Sequence, residues 1–179
     1  MQCPKNDLER KEMESIPYAS VVRSLMYVQT CTRPNISFIV GMLGRYQSNS
    51  RMDHWKAAKK VLKYLQGTKD HILIYRKSSY LEVVGYSDSY YDGCVDSRKS
   101  TFGYLFLLAR GAVSWKSGKQ SVIATSIMEV EFVACFEATI HVLWLRNFVS
   151  GLGWAKHMKG AKHMDLKYLS VKEEVQKHK

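Results

Sequence analysis

The chain has 179 residues, of which 46% are hydrophobic and 24% are charged, enough to build one or two small globular domains. Its 27 Lys and Arg residues against 16 Asp and Glu give a formal net charge of +11, which favours a polyanionic partner. No apolar run approaches the roughly 18 residues of a membrane span, and the widely spaced cysteines exclude a zinc motif or a disulfide framework. We therefore expect an intracellular protein, cytoplasmic or nuclear, that has no membrane contact and no disulfide partner.

The first part of the chain is predicted to be helical. A polar, loose leader over residues 1–16 precedes a helical segment, residues 17–70. Apolar spacing predicts one helix over residues 18–31, and Pro34 suits the first turn of a second helix. A third helix should begin near Asp53 and end at Gly67, which is a typical residue just past a helix end.

The third predicted helix has an apolar face and a basic face. Four lysines repeat at helical spacing on the basic face: Lys56, Lys59, Lys60 and Lys63. Nine Lys and Arg against two Asp and Glu give residues 17–70 a local charge of +7. A basic helix face is either a solvated surface or a row of phosphate contacts, and we take these lysines as the candidate nucleic-acid-binding residues.

Beyond residue 70 the hydrophobic period changes to that of strands. Short runs rich in Ile, Val, Leu, Tyr and Trp predict an antiparallel meander over residues 71–76, 81–88, 101–109, 111–116 and 120–124. Ser126 followed by Glu129 fits a capping box that opens a long helix ending near Val149. A further amphipathic helix is predicted around residues 166–175. The fold class is α/β, with a domain over residues 71–179.

Two carboxylates stand where a hydrolytic metal site could begin. Asp88 ends an apolar strand, and Glu131 lies in the first turns of the long helix. Carboxylates supply the oxygen ligands that Mg²⁺ prefers, usually together with substrate phosphates. Each residue also has an ordinary role, Asp88 in a turn and Glu131 on the surface.

Several motifs resemble copia-type retrotransposon Pol polyproteins. The first group is similar to the end of a reverse transcriptase: Pro17-Tyr-Ala-Ser-Val-Val-Arg-Ser-Leu-Met-Tyr, Cys31-Thr-Arg-Pro-Asn-Ile, His54-Trp-Lys-Ala-Ala-Lys and Leu65-Gln-Gly-Thr. The second resembles the ribonuclease H domain that follows: Gly85-Tyr-Ser-Asp88, Asp96-Ser-Arg-Lys-Ser-Thr101, Ser114-Trp-Lys, Lys119-Gln, Glu129-Val-Glu-Phe-Val-Ala134 and Trp144-Leu-Arg146. The resemblance implies a small helical module like the reverse transcriptase thumb or connection, before an incomplete, mixed ribonuclease H-like sheet with a long helix.

The resemblance also implies a chemistry and its residues. A ribonuclease H domain cuts the RNA strand of an RNA–DNA hybrid with two divalent ions, Mg²⁺ or Mn²⁺, which clamp the attacking water and the leaving oxygen. By motif, Asp88, Glu131 and Asp165 are the implied catalytic and metal-binding residues. RNA–DNA hybrid, or another nucleic acid, is the implied partner.

The metal-binding set implied by the resemblance is incomplete. The family carries a further Asp on a strand between Gly153 and Lys162, where this chain has only Trp-Ala-Lys-His-Met-Lys-Gly-Ala. A strand and its crossover helix need a dozen or more residues, so the sequence indicates a deletion, either natural or introduced by a wrongly assigned intron. We expect hybrid cleavage to be impaired, and a sheet that lacks a strand and helix to be marginally stable.

Three functions remain open from the sequence: an impaired hybrid-specific ribonuclease, a non-catalytic nucleic-acid-binding remnant, and a decayed reading frame without a useful product. A cleavage assay separates the first from the second, and peptide-level detection separates the third from both. Three aromatic residues of the predicted strand region either pack in the sheet or stack on bases: Tyr90, Tyr91 and Trp115.

Overall fold

The structure, a computed structural model, describes residues 7–77, 83–91 and 99–154. Cys3, Cys94, Asp96, Asp165 and the predicted helix around residues 166–175 lie outside these ranges. The described residues form a mixed α/β fold with a three-stranded antiparallel sheet, so the predicted class is confirmed. The predicted mixed sheet differs, because every pairing found among these strands is antiparallel.

Four helices form the first part of the fold. They are α1 (Asp7–Glu14), α2 (Tyr18–Cys31), α3 (Ser37–Gly44) and α4 (Met52–Gly67), and a 3₁₀ turn at Pro34–Ile36 precedes α3. They share a core whose buried members are Met13, Tyr18, Val22, Leu25, Ile36, Val40, Leu43, Ala58 and Val61. The core forms because each amphipathic helix can bury its apolar stripe only against the others.

Two features of this helical part differ from the sequence-based expectation. The leader is not loose throughout, because α1 buries Met13 against the other helices. Helix α4 begins one residue before Asp53, with Arg51 as its N-cap, and the Arg51 N–H donates to His54 Nδ1 at 3.0 Å. A ring nitrogen therefore satisfies a backbone donor at this helix start.

The sheet contains β1 (Val83–Tyr90), β2 (Thr101–Leu108) and β3 (Gly111–Lys119), in the order β1-β2-β3. Ala109 and Arg110 join β2 to β3 with φ of 48° and 68°, as a two-residue hairpin turn with left-handed backbone requires. The predictions of strands over residues 71–76 and 120–124 are wrong. No strand in the described ranges pairs with these segments, and the side chains of Ile72, Ile74 and Ile123 stay exposed.

The long helix α5 (Ile127–Val149) confirms the predicted start and end, and a π-helical turn, Ser150–Trp154, follows it. It packs on one face of the sheet through Ala138, Val142, Leu145 and Val149, against Val83, Tyr104, Phe106 and Val113. No helix in the described part of the chain is long and apolar enough to cross a bilayer.

The helical part packs on the other face of the sheet. Trp115 of β3 donates its indole N–H to the Gln29 carbonyl at 2.9 Å, and Arg45 donates to the Thr101 hydroxyl at 2.9 Å. The Phe38 ring meets the Tyr90 ring edge-on, with 6.2 Å between their centroids. The sheet is thus a middle layer between α5 and the helices of the first part.

Candidate functional site

Asp88 lies near the end of β1, opposite Gly103 of β2. Its side chain is exposed, and one carboxylate oxygen accepts the N–H of the next residue, Ser89, at 2.8 Å. Successive side chains of a strand point to opposite faces, so Asp88 shares a face with Tyr86 and Tyr90. These tyrosines are 59% and 60% exposed, which makes Asp88 the centre of an exposed aromatic patch.

Glu131 lies on α5, which packs on the other face of the sheet. The pairing partners Ser87 and Tyr104, like Gly85 and Phe106, lie on the face that α5 covers. Asp88 is one residue out of step with that row, so strand alternation directs its carboxylate away from α5. Glu131 itself is exposed. The register therefore sets Asp88 on the face opposite to the one that α5 covers, and the pairing of Asp88 with Glu131 in one metal site stays a prediction.

Within residues 7–77, 83–91 and 99–154, no three His, Cys, Asp or Glu side chains come together as a metal site would require. Asp165, the third ligand implied by the resemblance, lies outside those ranges. The predicted two-ion centre of Asp88, Glu131 and Asp165 therefore stays a prediction.

The start of α5 is fixed by a local hydrogen-bond network. The Ser126 hydroxyl accepts the Glu129 N–H at 3.2 Å, as an N-cap should. The Glu129 carboxylate accepts from the Thr125 N–H at 2.6 Å and from the Thr125 hydroxyl at 3.0 Å. These hydrogen bonds, chiefly from Thr125, lower the pKa of Glu129. Glu129 is a capping residue, and its partner is mainly Thr125, where the sequence predicted Ser126.

The four predicted nucleic-acid-binding lysines are all exposed on α4: Lys56, Lys59, Lys60 and Lys63. The opposite side of the helix is anchored in the core by Ala58 and Val61, which are 0% and 6% exposed. Lys59 lies over the Trp55 ring at 5.7 Å, while Lys56 is 3.9 Å from the Asp53 carboxylate, a weak surface contact. Helix α4 thus presents an ordered row of cations to solvent.

His141 is a polar centre that sequence reasoning missed. Its Nε2 lies 2.6 Å from the Ser114 hydroxyl, and its ring stacks on Tyr104 and Trp144 with centroid distances of 4.7 Å and 5.5 Å. Burial, and then the charge of Lys116, lower its pKa. A lone His in an apolar helix carries no spacing signal, so only the packing of α5 on the sheet shows this pair.

The aromatic residues considered for base stacking divide in two. Trp115 is half-buried and donates to the Gln29 carbonyl, so it ties β3 to α2. Tyr90 and Tyr91 are exposed, at 60% and 45%.

Of the cysteines, Cys31 and Cys135 are free thiols.

Comparison with known proteins shows that the chain is similar to part of two transposon polyproteins. It is 40% identical over 151 residues to the retrovirus-related Pol polyprotein from transposon TNT 1-94 of Nicotiana tabacum, a match that covers 84% of the chain. It is 35% identical over 136 residues, 76% of the chain, to the Pol polyprotein from transposon RE2 of Arabidopsis thaliana. The chain is thus similar to a short segment of retrovirus-related Pol polyproteins from plant transposons. The predicted resemblance is confirmed at this level.

The chain spans about a tenth of these polyproteins, 11% and 9% of their respective lengths. It is also 44% identical over 133 residues to the secreted RxLR effector protein 161 of Plasmopara viticola, of which it covers 94%. The matches to TNT 1-94 and to the effector cover 84% and 74% of the chain, so they overlap over more than half of it. No protein-family model matches the chain. No solved structure matches it either.

Proposed function

We propose that this Pol fragment binds RNA–DNA hybrid or other nucleic acid through the basic face of α4, and that its ribonuclease H-like half cuts hybrid marginally or not at all. The exposed lysine row on α4, held on a packed core, carries this proposal. The net charge of +11 supports it, because polyanion binding without sequence preference is mainly electrostatic.

The proposal assigns the two layers to two parts of the polyprotein. Helices α2 to α4, within residues 17–70, correspond to the end of a reverse transcriptase. The sheet with α5 corresponds to a shortened ribonuclease H domain, supported by a strand that carries Asp88 and a capped helix that carries Glu131. An intracellular location belongs to the same proposal, supported by the free thiols of Cys31 and Cys135.

Salt-dependent binding tests the basic face. If the four lysines contact four phosphates, replacing Lys56, Lys59, Lys60 and Lys63 with Gln should reduce the slope of log Kobs against log salt by roughly 3–4. The matched control replaces four other exposed lysines, which are spread over the surface and remove the same charge: Lys11, Lys69, Lys77 and Lys119. Filter binding to hybrid and to duplex DNA at several salt concentrations gives both slopes.

The comparison of the two quadruple variants decides the result. A large change in the α4 variant with a small change in the control supports the assignment. An unchanged slope in the α4 variant, or an equal change in both, removes this face from the binding site, because a purely global charge effect does not depend on position.

A cleavage assay tests the second half of the proposal. Fluorescent RNA–DNA hybrid with Mg²⁺, and separately with Mn²⁺, should show absent or marginal turnover, because stabilising both the attacking and leaving oxygens requires two held ions. Robust turnover that disappears on Asp88→Asn would contradict the proposal and would establish a complete site. Without turnover, grafting a strand and helix after Gly153 should restore some activity.

The nearly complete coverage of the effector favours a second candidate function. The name of that relative describes a secreted effector, and the chain covers 94% of it. A tagged full chain expressed in eukaryotic cells separates the candidates. Recovery from the medium supports a secreted role, whereas recovery from the cytoplasm or nucleus, crosslinked to nucleic acid, supports the binding role.

A further inference from the structure

Strand β1 is an open edge within the described ranges, where it pairs with β2 alone. It is eight residues long and contains no proline, and Asp88 is its single charged residue. Its middle residues Gly85, Tyr86, Ser87 and Asp88 are all exposed. A long edge strand without proline or lysine presents unpaired N–H and C=O groups that favour pairing with another strand.

The sequence of β1 is complementary to itself in an antiparallel arrangement. A two-fold axis perpendicular to the sheet pairs residues of the same face, so the strand can centre on Tyr86 or on Ser87. In the first register Asp88 lies opposite Val84 of the other copy, and in the second it lies opposite Tyr86. Neither register places the two Asp88 carboxylates opposite each other, so like charges do not oppose the pairing.

Helix α5 packs on one face of the sheet, against Val83 of β1 and against Tyr104 and Phe106 of β2. A two-fold axis perpendicular to the sheet therefore places the α5 helices of two copies on the same face.

We propose that two copies of this chain pair through their β1 edges into a six-stranded antiparallel sheet, with the two α5 helices side by side on one face. The pairing would satisfy the open backbone groups of β1. A two-fold arrangement closes on itself, so the product is a dimer without a free edge at β1.

The test uses the full chain and an acidic edge variant. Tyr86→Asp with Ser87→Asp places carboxylates opposite each other in either register, so the dimer dissociation constant should rise about tenfold or more. The matched control, Ser48→Asp with Gln66→Asp, makes the same charge change at two exposed positions outside the sheet. Sedimentation velocity at a series of concentrations measures association, and circular dichroism checks that each variant folds.

The proposal is supported if the parent chain and the control variant dimerise while the edge variant dimerises with a higher dissociation constant. Three results would overturn the proposal. The first is a parent chain that stays monomeric at a concentration of about 100 μM, roughly 100 times a micromolar dissociation constant. The others are aggregation without a defined dimer, and a dimer whose dissociation constant the edge variant does not change. If the edge variant does not fold, hydrogen exchange of the parent decides. The β1 amides should gain protection as concentration rises, and protection independent of concentration would overturn the proposal.

Discussion

The hydrogen bond from Trp115 to Gln29 offers a direct measure of how firmly the helical layer holds the sheet. Trp115→Phe keeps an aromatic ring but removes the indole N–H, which donates to the Gln29 carbonyl at 2.9 Å. A net hydrogen bond contributes about 0.5–1.5 kcal/mol, and leaving its acceptor unsatisfied adds about 1–3 kcal/mol when buried. Both residues are half-buried, so we expect a loss of about 1–2 kcal/mol. For a chain of this length that corresponds to a Tm lowered by roughly 2–8 °C.

Trp144→Phe is the matched control for this measurement, because Trp144 is 56% exposed and stacks on Phe148 with a centroid distance of 5.4 Å that a phenyl ring can keep. Its effect should stay within about 0.5 kcal/mol. Urea unfolding followed by circular dichroism gives both free energies of unfolding and shows whether the m-value is unchanged. If the two variants lose equal stability, the helical layer does not depend on Trp115, and the three-layer packing described above loses its best-defined polar link.

Three further perturbations and one native-state measurement test particular contacts. Burial and Lys116 lower the pKa of His141; its contribution to stability should be complete above about pH 6.5 and should be lost as the pH falls towards the lower folded pKa. His141→Gln should therefore reduce the fall in Tm between about pH 7 and 5, and an unchanged dependence of Tm on pH would exclude His141 as the cause of that fall. Ser126→Ala should cost about 1 kcal/mol in urea unfolding, while Ser126→Asp should retain the cap; equal stability of the two would contradict the capping role. Gly85→Ala places a Cβ 2.5 Å from Cε1 of Phe106 and should cost about 1–3 kcal/mol, whereas Gly67→Ala, with nothing within 4 Å, should not destabilise α4. Hydrogen exchange at low concentration should be faster in β2 than in α2 if the shortened sheet is loosely packed, and slow cooperative exchange across both would refute that expectation.

Local signals in the sequence were sufficient for several elements. The Ser126 cap and the apolar run after it set the start of α5, and Gly67 ends α4 as expected. These signals succeed because a cap or a helical period involves residues within one or two turns of each other. The exposed lysine row on α4 was predictable for the same reason, since residues four apart share a face of a helix.

Only the tertiary structure decided which surfaces and side chains meet. Residues 71–76 carry a strand-like pattern but remain outside the sheet, because a strand forms only where a distant partner pairs with it. The face on which Asp88 lies also depends on the pairing of β1 with β2, which sets it opposite to the face that α5 covers. The contact between His141 and Ser114 likewise depends on a helix docking 27 residues further along the chain. Side-chain alternation makes the face of a strand residue depend on register, and register is fixed by long-range packing that no local motif encodes.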